Sequence, residues 1–487
     1  MDSYDILVIG GGPAGVTAAL RARELGASVA LIERGEMGGT CTNDGCAPSR
    51  VLAKAARLVR DADQFAAYGL RGARPEVDFP LLLERMRAII ADLQQKKDLI
   101  SHLGAVGVVV YAGVGEARFS DPHTLTLPDG RALRGEQIII CAGGRSRQLG
   151  IPGAELALSH SDVWTLDHLP RSLAIVGGSA TGCQLASVFR AFGCEVTLLE
   201  LAPRILANAD AIIAEQLTRI FARRGMAVRA GIDGVRAIER RAGEAGVTLI
   251  YAAAGSDVRL EVDTVVLAVG WPGNADRLNL EAAGVASERG YIMVDATLRS
   301  SQPHIFAAGD ITGRMMLVQG ATDEARAAAQ NAVLGRRLRH EHRVVPNGGF
   351  TDPEYGTVGL SEARAREQYD VVTAAVPYAD LDRAVIDGRT DGVCKLIVDR
   401  ETHAILGAHV VGEQAVEIVH VAAALMEAHS TVERLVQLEI AYPTFASVLG
   451  LAARQIAREL GSVASTMAWG TDHDARATEW ERRSLTP

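Results

Sequence analysis

Two cysteines five positions apart carry the most evident chemistry in this sequence. They lie in the run Gly38, Gly39, Thr40, Cys41, Thr42, Asn43, Asp44, Gly45, Cys46, Ala47, Pro48, Ser49, Arg50. Two neighbouring thiols can cycle between dithiol and disulfide, or hold a thiophilic ion. In a regular helix this spacing gives about 7.5 Å of rise, beyond the reach of a disulfide. A redox pair therefore needs a break in the helix, and Asn43, Asp44 and Gly45 are residue types that tolerate one. Pro48 suits a first helical turn and Val51 to Arg60 continues as a helix, which puts Cys46 at a helix N-terminus where a thiolate is stabilised. A structural zinc site needs about four ligands, and no second CxxC or nearby His is offered in sequence, so no metal is expected here. An inert pair of buried thiols is the other alternative. The remaining cysteines, Cys141, Cys183, Cys194 and Cys394, stand singly in apolar segments and read as structural.

The elements around the pair have a dinucleotide-binding order. The apolar run 5–9 meets Gly10, Gly12 and Gly15 in a GxGxxG turn; a helix follows, then the run 29–32 ending at Glu33, 18 positions after Gly15. The pattern recurs at 173–176, with Gly177 and Gly182 in the turn, Ser179 replacing the middle glycine, and Glu200 again 18 positions on. Two such units predict two dinucleotides. From Tyr291 to Asp310 the chain reads as strand, loop, strand. Strands near 396–398 and 404–411 and helices at 415–429 and 445–460 predict a separate α+β unit. From Gly461 the chain is polar and turn-rich, with Trp469 and Trp480, and reads as a tail.

Composition narrows the class. A chain of 487 residues argues for roughly three domains, and 48% hydrophobic with 22% charged residues is ordinary globular usage. A net charge of −9 offers no electrostatic footprint for nucleic acid or an anionic membrane. No stretch reaches membrane-spanning length without a charge or Gly, and the N-terminus lacks a basic segment before an apolar core, so a cytoplasmic location is expected.

The motifs 10–15 (GGGPAG), 38–50 (GGTCTNDGCAPSR), 141–145 (CAGGR), 177–182 (GGSATG), 268–270 (AVG), 297–310 (TLRSSQPHIFAAGD) and 350–362 (FTDPEYGTVGLSE) occur in one order. In that combination the chain resembles the pyridine nucleotide-disulfide oxidoreductase family of flavoproteins, which includes dihydrolipoamide dehydrogenase, glutathione reductase and mercuric reductase. The resemblance implies an α/β fold with two Rossmann-like dinucleotide-binding domains, for FAD and NAD, plus a C-terminal α+β dimerisation domain. It implies boundaries of 1–150 and 272–345 for the FAD and central parts, 151–271 for the NAD(P) domain, 346–460 for the interface domain and 461–487 for the tail. It implies an enzyme, a homodimer whose active site the partner subunit completes, acting on a small molecule. Gly10, Gly12 and Gly15 would receive the FAD pyrophosphate and Glu33 the adenosine ribose, with Gly39, Thr40, Arg50, Gly143 and Asp310 also at the flavin. Gly177, Gly182, Glu200 and Gly270 would serve the second nucleotide, with Gln184 beside the flavin, and the carboxylate of Glu200 favours NAD(H) over NADP(H), a preference Arg204 weakens. Hydride would pass from nicotinamide to flavin, then electrons to Cys46, releasing Cys41 as the thiolate that meets a disulfide, a thiol-linked small molecule or a soft-metal electrophile.

The sequence also departs from the family pattern. Tyr442 stands where disulfide reductases carry His before Pro443, and Ser447 where they carry Glu. A Tyr with an ordinary pKa of about 10 is a poor base, and Tyr at this place is similar to mercuric reductase and the soluble transhydrogenases. Arg50 and Gln184 replace a Lys and Glu pair, which predicts either a more electropositive flavin edge or a compensated swap. Gln319 stands where a His often precedes the flavin-side helix. No Cys follows Cys394 to supply the C-terminal pair of mercuric reductases. The competing expectations are a diaphorase or transhydrogenase with a vestigial Cys pair, and a flavin-bound redox sensor.

Overall fold

The computed structural model describes residues 1–241 and 245–462. The tail beyond residue 462, with Trp469 and Trp480, lies outside the described residues.

The run 5–9 belongs to strand β1 (Asp2–Ile9), central in a seven-stranded sheet. Its apolar side chains run without alternation because both faces of a parallel sheet are covered; Ile6, Leu7 and Val8 are fully buried. Strand β2 (Val29–Glu33) pairs parallel on one side, Val8 opposite Leu31, and Ala132–Ile140 on the other, Val8 opposite Ile139. The short strand Ile305–Ala307 adds parallel to the last of these, so residues far apart in sequence complete one sheet. Between β1 and β2 runs helix α1 (Pro13–Glu24), with Pro in its first turn. It packs on the helix Val318–Leu334 through alanines, Ala18 and Ala22 against Ala325, Ala328 and Ala329, all fully buried. Small residues let the two helices approach closely.

The second glycine unit builds a five-stranded parallel sheet from Leu158–Ser159, Thr264–Leu267, Ser172–Val176, Glu195–Glu200 and Ala227–Ala230. The antiparallel strands Gly234–Arg240, Val247–Ala253 and Ser256–Val262 join the same apolar core. The third unit is a five-stranded antiparallel sheet, with Val393–Asp399 and Ile405–Val411 near the expected positions and Tyr355–Gly359 and Val371–Pro377 unforeseen. Helices Ala415–Glu427 and Ser447–Glu459 cover one face through Val419, Leu449 and Ile456. Fold class therefore agrees with the expectation: α/β with two Rossmann-like sheets, and an α+β C-terminal unit.

The Cys run forms two helices, α2 (Gly39–Asn43) and α3 (Cys46–Asp61). α3 buries Pro48, Leu52, Ala56 and Val59, a stripe at three- and four-residue spacing. That stripe enters a core shared with Phe79, Phe189 and Phe192, the last two from the second nucleotide unit. Phe79 lies 6.1 Å and 6.4 Å, centroid to centroid, from those two rings, in tilted and edge-to-face arrangements. The helix carrying Cys46 is thus clamped between both nucleotide-binding units.

Candidate functional site

The helix break required by the two cysteines lies where the residue types allowed it. α2 stops at Asn43; Asp44 (φ −141°, ψ −13°) and Gly45 (φ −120°, ψ −95°) leave helical geometry, and α3 restarts at Cys46. The Asp44 and Gly45 amides both donate to the Thr40 carbonyl, at 2.9 and 2.6 Å, closing the turn. This brings the two thiols, both free, into hydrogen-bond contact. The pair shares one proton. Donation from the Cys46 S–H lowers the Cys41 pKa to about 7, against burial and Asp310 and with help from the Lys97 charge. Donating its proton to Cys41 pushes the Cys46 thiol far up. The stabilised thiolate is thus Cys41, whereas the helix N-terminus pointed to Cys46.

Neighbours that the sequence did not single out hold this loop. Lys97, ending the helix Phe79–Lys97, donates to Thr42 Oγ1 at 2.7 Å, and Gln94 donates to Asn43 Oδ1 at 3.0 Å. The Trp164 indole donates to the Asp44 carbonyl at 2.9 Å. The Asp44 carboxylate accepts from Ser161 Oγ at 2.6 Å and lies 3.6 Å from His160 Nε2, while His160 Nδ1 meets Ser146 Oγ at 2.8 Å. Burial holds the His160 pKa below the usual range, against Asp44 and Asp162, so a proton-accepting imidazole stands behind the redox loop. Only structure assembles this chain, because its members come from three separate stretches.

A cavity of about 1790 Å³ runs from the first glycine turn to the second. Gly10, Gly12, Glu33, Gly39, Thr40, Cys41, Cys46, Gly143, Gln184, Gly270 and Asp310 line it. Gly15 and Gly182 have a packing role as well: a Cβ on Gly15 would lie 1.7 Å from the Gly10 carbonyl oxygen, and one on Gly182 1.8 Å from that of Gly177. These two glycines let helix meet strand. Gly10 and Gly177 share a left-handed φ, +106° and +107°. Ser179 fits because its φ of −83° suits any residue, as does the −77° of Gly12.

The cavity suits a dinucleotide. Among the described residues no side chain caps the N-terminus of α1, so its amides are available to an anion. A Cβ on Gly12 would approach only Gly39 Cα, at 3.6 Å, which leaves room above the turn. Glu33 steadies that turn by accepting from Gly11 N at 2.6 Å and Gly35 N at 2.8 Å; Glu200 does the same for its own turn, from Gly178 N at 2.5 Å and Ala202 N at 2.7 Å. Asp310 is raised in pKa by burial and by Glu324, against a 2.9 Å bond from the Trp271 indole.

Other expected residues lie differently. Arg50 donates to Glu354 Oε1 at 2.8 Å and covers the Phe350 ring at 4.3 Å. Its charge is balanced from the C-terminal unit, which fits the compensated swap of the two alternatives. Gln184 accepts from Phe350 N at 3.0 Å. Gln319 lines the cavity and donates to the Pro346 carbonyl at 2.7 Å. Tyr442 is 52% exposed, is not among the residues lining the cavity of its own chain, and donates to Asp382 Oδ2 at 2.6 Å.

Residues 4–325 match the family model described as pyridine nucleotide-disulphide oxidoreductase, and residues 345–453 match the dimerisation domain of the same family. This chain belongs to the pyridine nucleotide-disulphide oxidoreductase family. Family members bind FAD, use a pyridine nucleotide and are enzymes with a disulfide redox centre. A mercuric reductase of Lysinibacillus sphaericus is 33% identical over 459 residues, covering 93% of this chain and 82% of the relative. A dihydrolipoyl dehydrogenase of Thermus scotoductus is 33% identical over 473 residues, 94% and 98% of the two chains. Among solved structures, the Cu(II) complex of the HOCl-induced flavoprotein disulfide reductase RclA from Escherichia coli superposes with a TM-score of 0.82 at 28% identity, covering 94% of this chain and all of that one. The chain is thus a flavoprotein disulfide reductase of this general type. No described helix is long and apolar enough to cross a membrane.

Proposed function

We propose that this enzyme takes electrons from NADH and delivers them, through the Cys41 and Cys46 pair, to a thiophilic metal ion or a compact thiol-bound electrophile. The observation that carries the reading is the shared proton: Cys41 has its pKa lowered to about 7 by the Cys46 S–H, with no histidine at position 442. A thiophilic ion needs a thiolate and no proton shuttle, whereas disulfide exchange must protonate a leaving thiol in each turnover. Tyr442 in the usual His position fits the first demand better than the second. The names of the similar proteins, mercuric reductase and a copper complex of a disulfide reductase, point the same way.

Bound FAD supplies the two-electron link between nicotinamide and the sulfur pair. The α1 N-terminus, Gly12 and Glu33 hold the pyrophosphate and ribose, and Asp310 lies on the same cavity wall. The Ser179 turn and Glu200 hold the second nucleotide, the Glu200 carboxylate accepting from a free ribose 2′-hydroxyl and repelling a 2′-phosphate. Cys41 captures the incoming electrophile, and Cys46 joins once its proton has left, with His160 placed behind the loop to accept it. The chain acts as a homodimer through its dimerisation domain, and Tyr442, held by Asp382, closes the site of the partner subunit. We assign residues 1–150 and 272–345 to the flavin and central parts, 151–271 to the nicotinamide nucleotide, and 346–460 to the interface, in the cytoplasm.

The test is anaerobic NADH oxidation by the FAD-loaded protein with mercuric or cupric thiolate complexes, glutathione disulfide or lipoamide as acceptor. Metal complexes should turn over fastest, and Cys41→Ser should lose about 100-fold or more. Unchanged turnover in Cys41→Ser refutes the dithiol route; faster turnover with glutathione disulfide transfers the assignment to disulfides.

A further inference from the structure

Three donor residues outside the thiol pair and the glycine turns meet at another part of the same cavity wall. Asp323 lies on the helix Val318–Leu334, and His340 and His342 on the segment after it; one donor atom from each lies within 4.8 Å of the others. The chain reverses at Gly335, with φ +60°, and Asn331 fastens the returning strand of chain through Leu338, by bonds of 2.9 and 3.0 Å. The two imidazole rings then stand edge to face, centroids 4.6 Å apart.

Each imidazole is oriented by a carboxylate. His340 Nε2 lies 2.9 Å from Asp323 Oδ2, and His342 Nε2 lies 3.0 Å from Glu324 Oε1. An ionised carboxylate only accepts, so without an ion both Nε2 atoms carry the proton; His342 then presents the Nδ1 lone pair, and an ion that displaces the His340 proton takes His340 Nε2 together with the Asp323 oxygen that faces it. His340 is 7% exposed, yet its Nδ1 has no hydrogen-bond partner among the described residues. Such a buried orphan is rare in a native interior and marks a side chain whose bonds within the protein are incomplete. Glu324 is fully buried, and its second oxygen accepts from Gly309 N at 2.8 Å. A rigid acid behind a histidine is the outer support that metal-binding histidines use.

We propose that Asp323, His340 and His342 bind a borderline divalent transition-metal ion of the Zn²⁺, Cu²⁺ or Ni²⁺ class. Two imidazoles and one carboxylate select this class over Mg²⁺ and Ca²⁺, which require oxygen donors. Around a tetrahedral ion with bonds of about 2.1 Å, donor atoms lie roughly 3.4 Å apart, so the set closes by about an ångström on binding. Asp323, whose side chain is 59% exposed, is the member free to move. Asp323 and His342 line the cavity that also contains Cys41 and Cys46, so the bound ion faces the redox chamber. The site is independent of which acceptor the thiols reduce.

The experiment uses full-length, FAD-loaded protein carrying Cys41→Ser and Cys46→Ser, which removes the thiols as competing ligands. Titration with Cu²⁺ alone, followed by electron paramagnetic resonance and calorimetry, should show one equivalent with nitrogen hyperfine structure. Adding His342→Gln, or Asp323→Asn on the exposed rim, should weaken binding at least about tenfold, by loss of one ligand. Flavin absorbance and the melting temperature report whether each variant is folded; if His342→Gln is not, Asp323→Asn decides. No stoichiometric Cu²⁺ binding, binding unchanged in the folded variants, or a preference for Mg²⁺ over Cu²⁺ each overturns the proposal.

Discussion

Replacing Cys46 by alanine removes the S–H that stabilises the Cys41 thiolate while leaving the loop, the burial and Lys97 in place. In the wild-type protein Cys41 has a pKa of about 7, so about half of it is thiolate at pH 7. Without the donor it returns toward the ordinary value of about 9, where about 1% is ionised at that pH. The thiolate population falls about 50-fold. Each remaining thiolate is more basic and therefore more nucleophilic, by about 6- to 10-fold for two pKa units with a Brønsted slope of about 0.4–0.5. Alkylation of Cys41 at pH 7 should then slow by roughly 5- to 8-fold, while above about pH 8 the variant should overtake the wild type. The assay is iodoacetamide labelling of anaerobically reduced protein, with the Cys41 peptide quantified by mass spectrometry across the pH range. Crossing profiles, with the midpoint displaced upward by about two units, are the expected signature. A midpoint that stays near 7 in Cys46→Ala would mean that Lys97 or the backbone sets the acidity, and the shared-proton account would fail. Lys97→Met should move the midpoint upward by less, since its charge ranks behind the Cys46 bond.

Gly15→Ala should yield protein that retains little flavin on purification, because its Cβ would lie 1.7 Å from the Gly10 carbonyl oxygen; normal flavin absorbance would contradict the packing role. Leu52→Ala empties a fully buried site in the core shared by α3 and the second nucleotide unit and should cost about 2–5 kcal/mol in denaturant titration. Glu200→Ala should raise the NADPH to NADH ratio of kcat/KM by about 10-fold or more, since a bond to a charged acceptor is worth about 1.5–3 kcal/mol. Tyr442→Phe keeps the ring but loses the hydroxyl that Asp382 orients; acceptor turnover should fall about 10-fold or more, as for one lost bond to a charged group, with Cys41 alkylation unchanged. Equal turnover would reduce Tyr442 to a packing residue.

Strong periodic signals were readable from the sequence. The glycine turns, the acids 18 positions after them, the broken helix between Cys41 and Cys46 and the C-terminal helices all depend on residues close in the chain. What escaped depends on long-range meetings. Glu354 could not be seen as the counter-charge of Arg50, because more than 300 residues separate them and only the packing of the C-terminal sheet joins them. The same holds for Trp271 on Asp310 and for Asp44, Ser161, His160 and Ser146 behind the thiols. Gly15 and Gly182 matched a motif whose glycines have different duties, one approached by a ligand and another by a neighbouring strand, which spacing alone does not separate. Strands Tyr355–Gly359 and Val371–Pro377 were missed because their short, Gly- or Ala-containing runs form only when a partner strand supplies the ladder.

Because α3 carries Cys46 at one end and shares its flank with Phe189 and Phe192, the two nucleotide units are not interchangeable cassettes. An NADPH-binding unit grafted from a relative would inherit its own surface opposite Leu52 and Ala56, and any misfit there would tilt the cysteine turn. A workable chimera must therefore transplant the aromatic cluster together with α3. Cofactor exchange in this scaffold is consequently better attempted at Glu200 than by swapping domains.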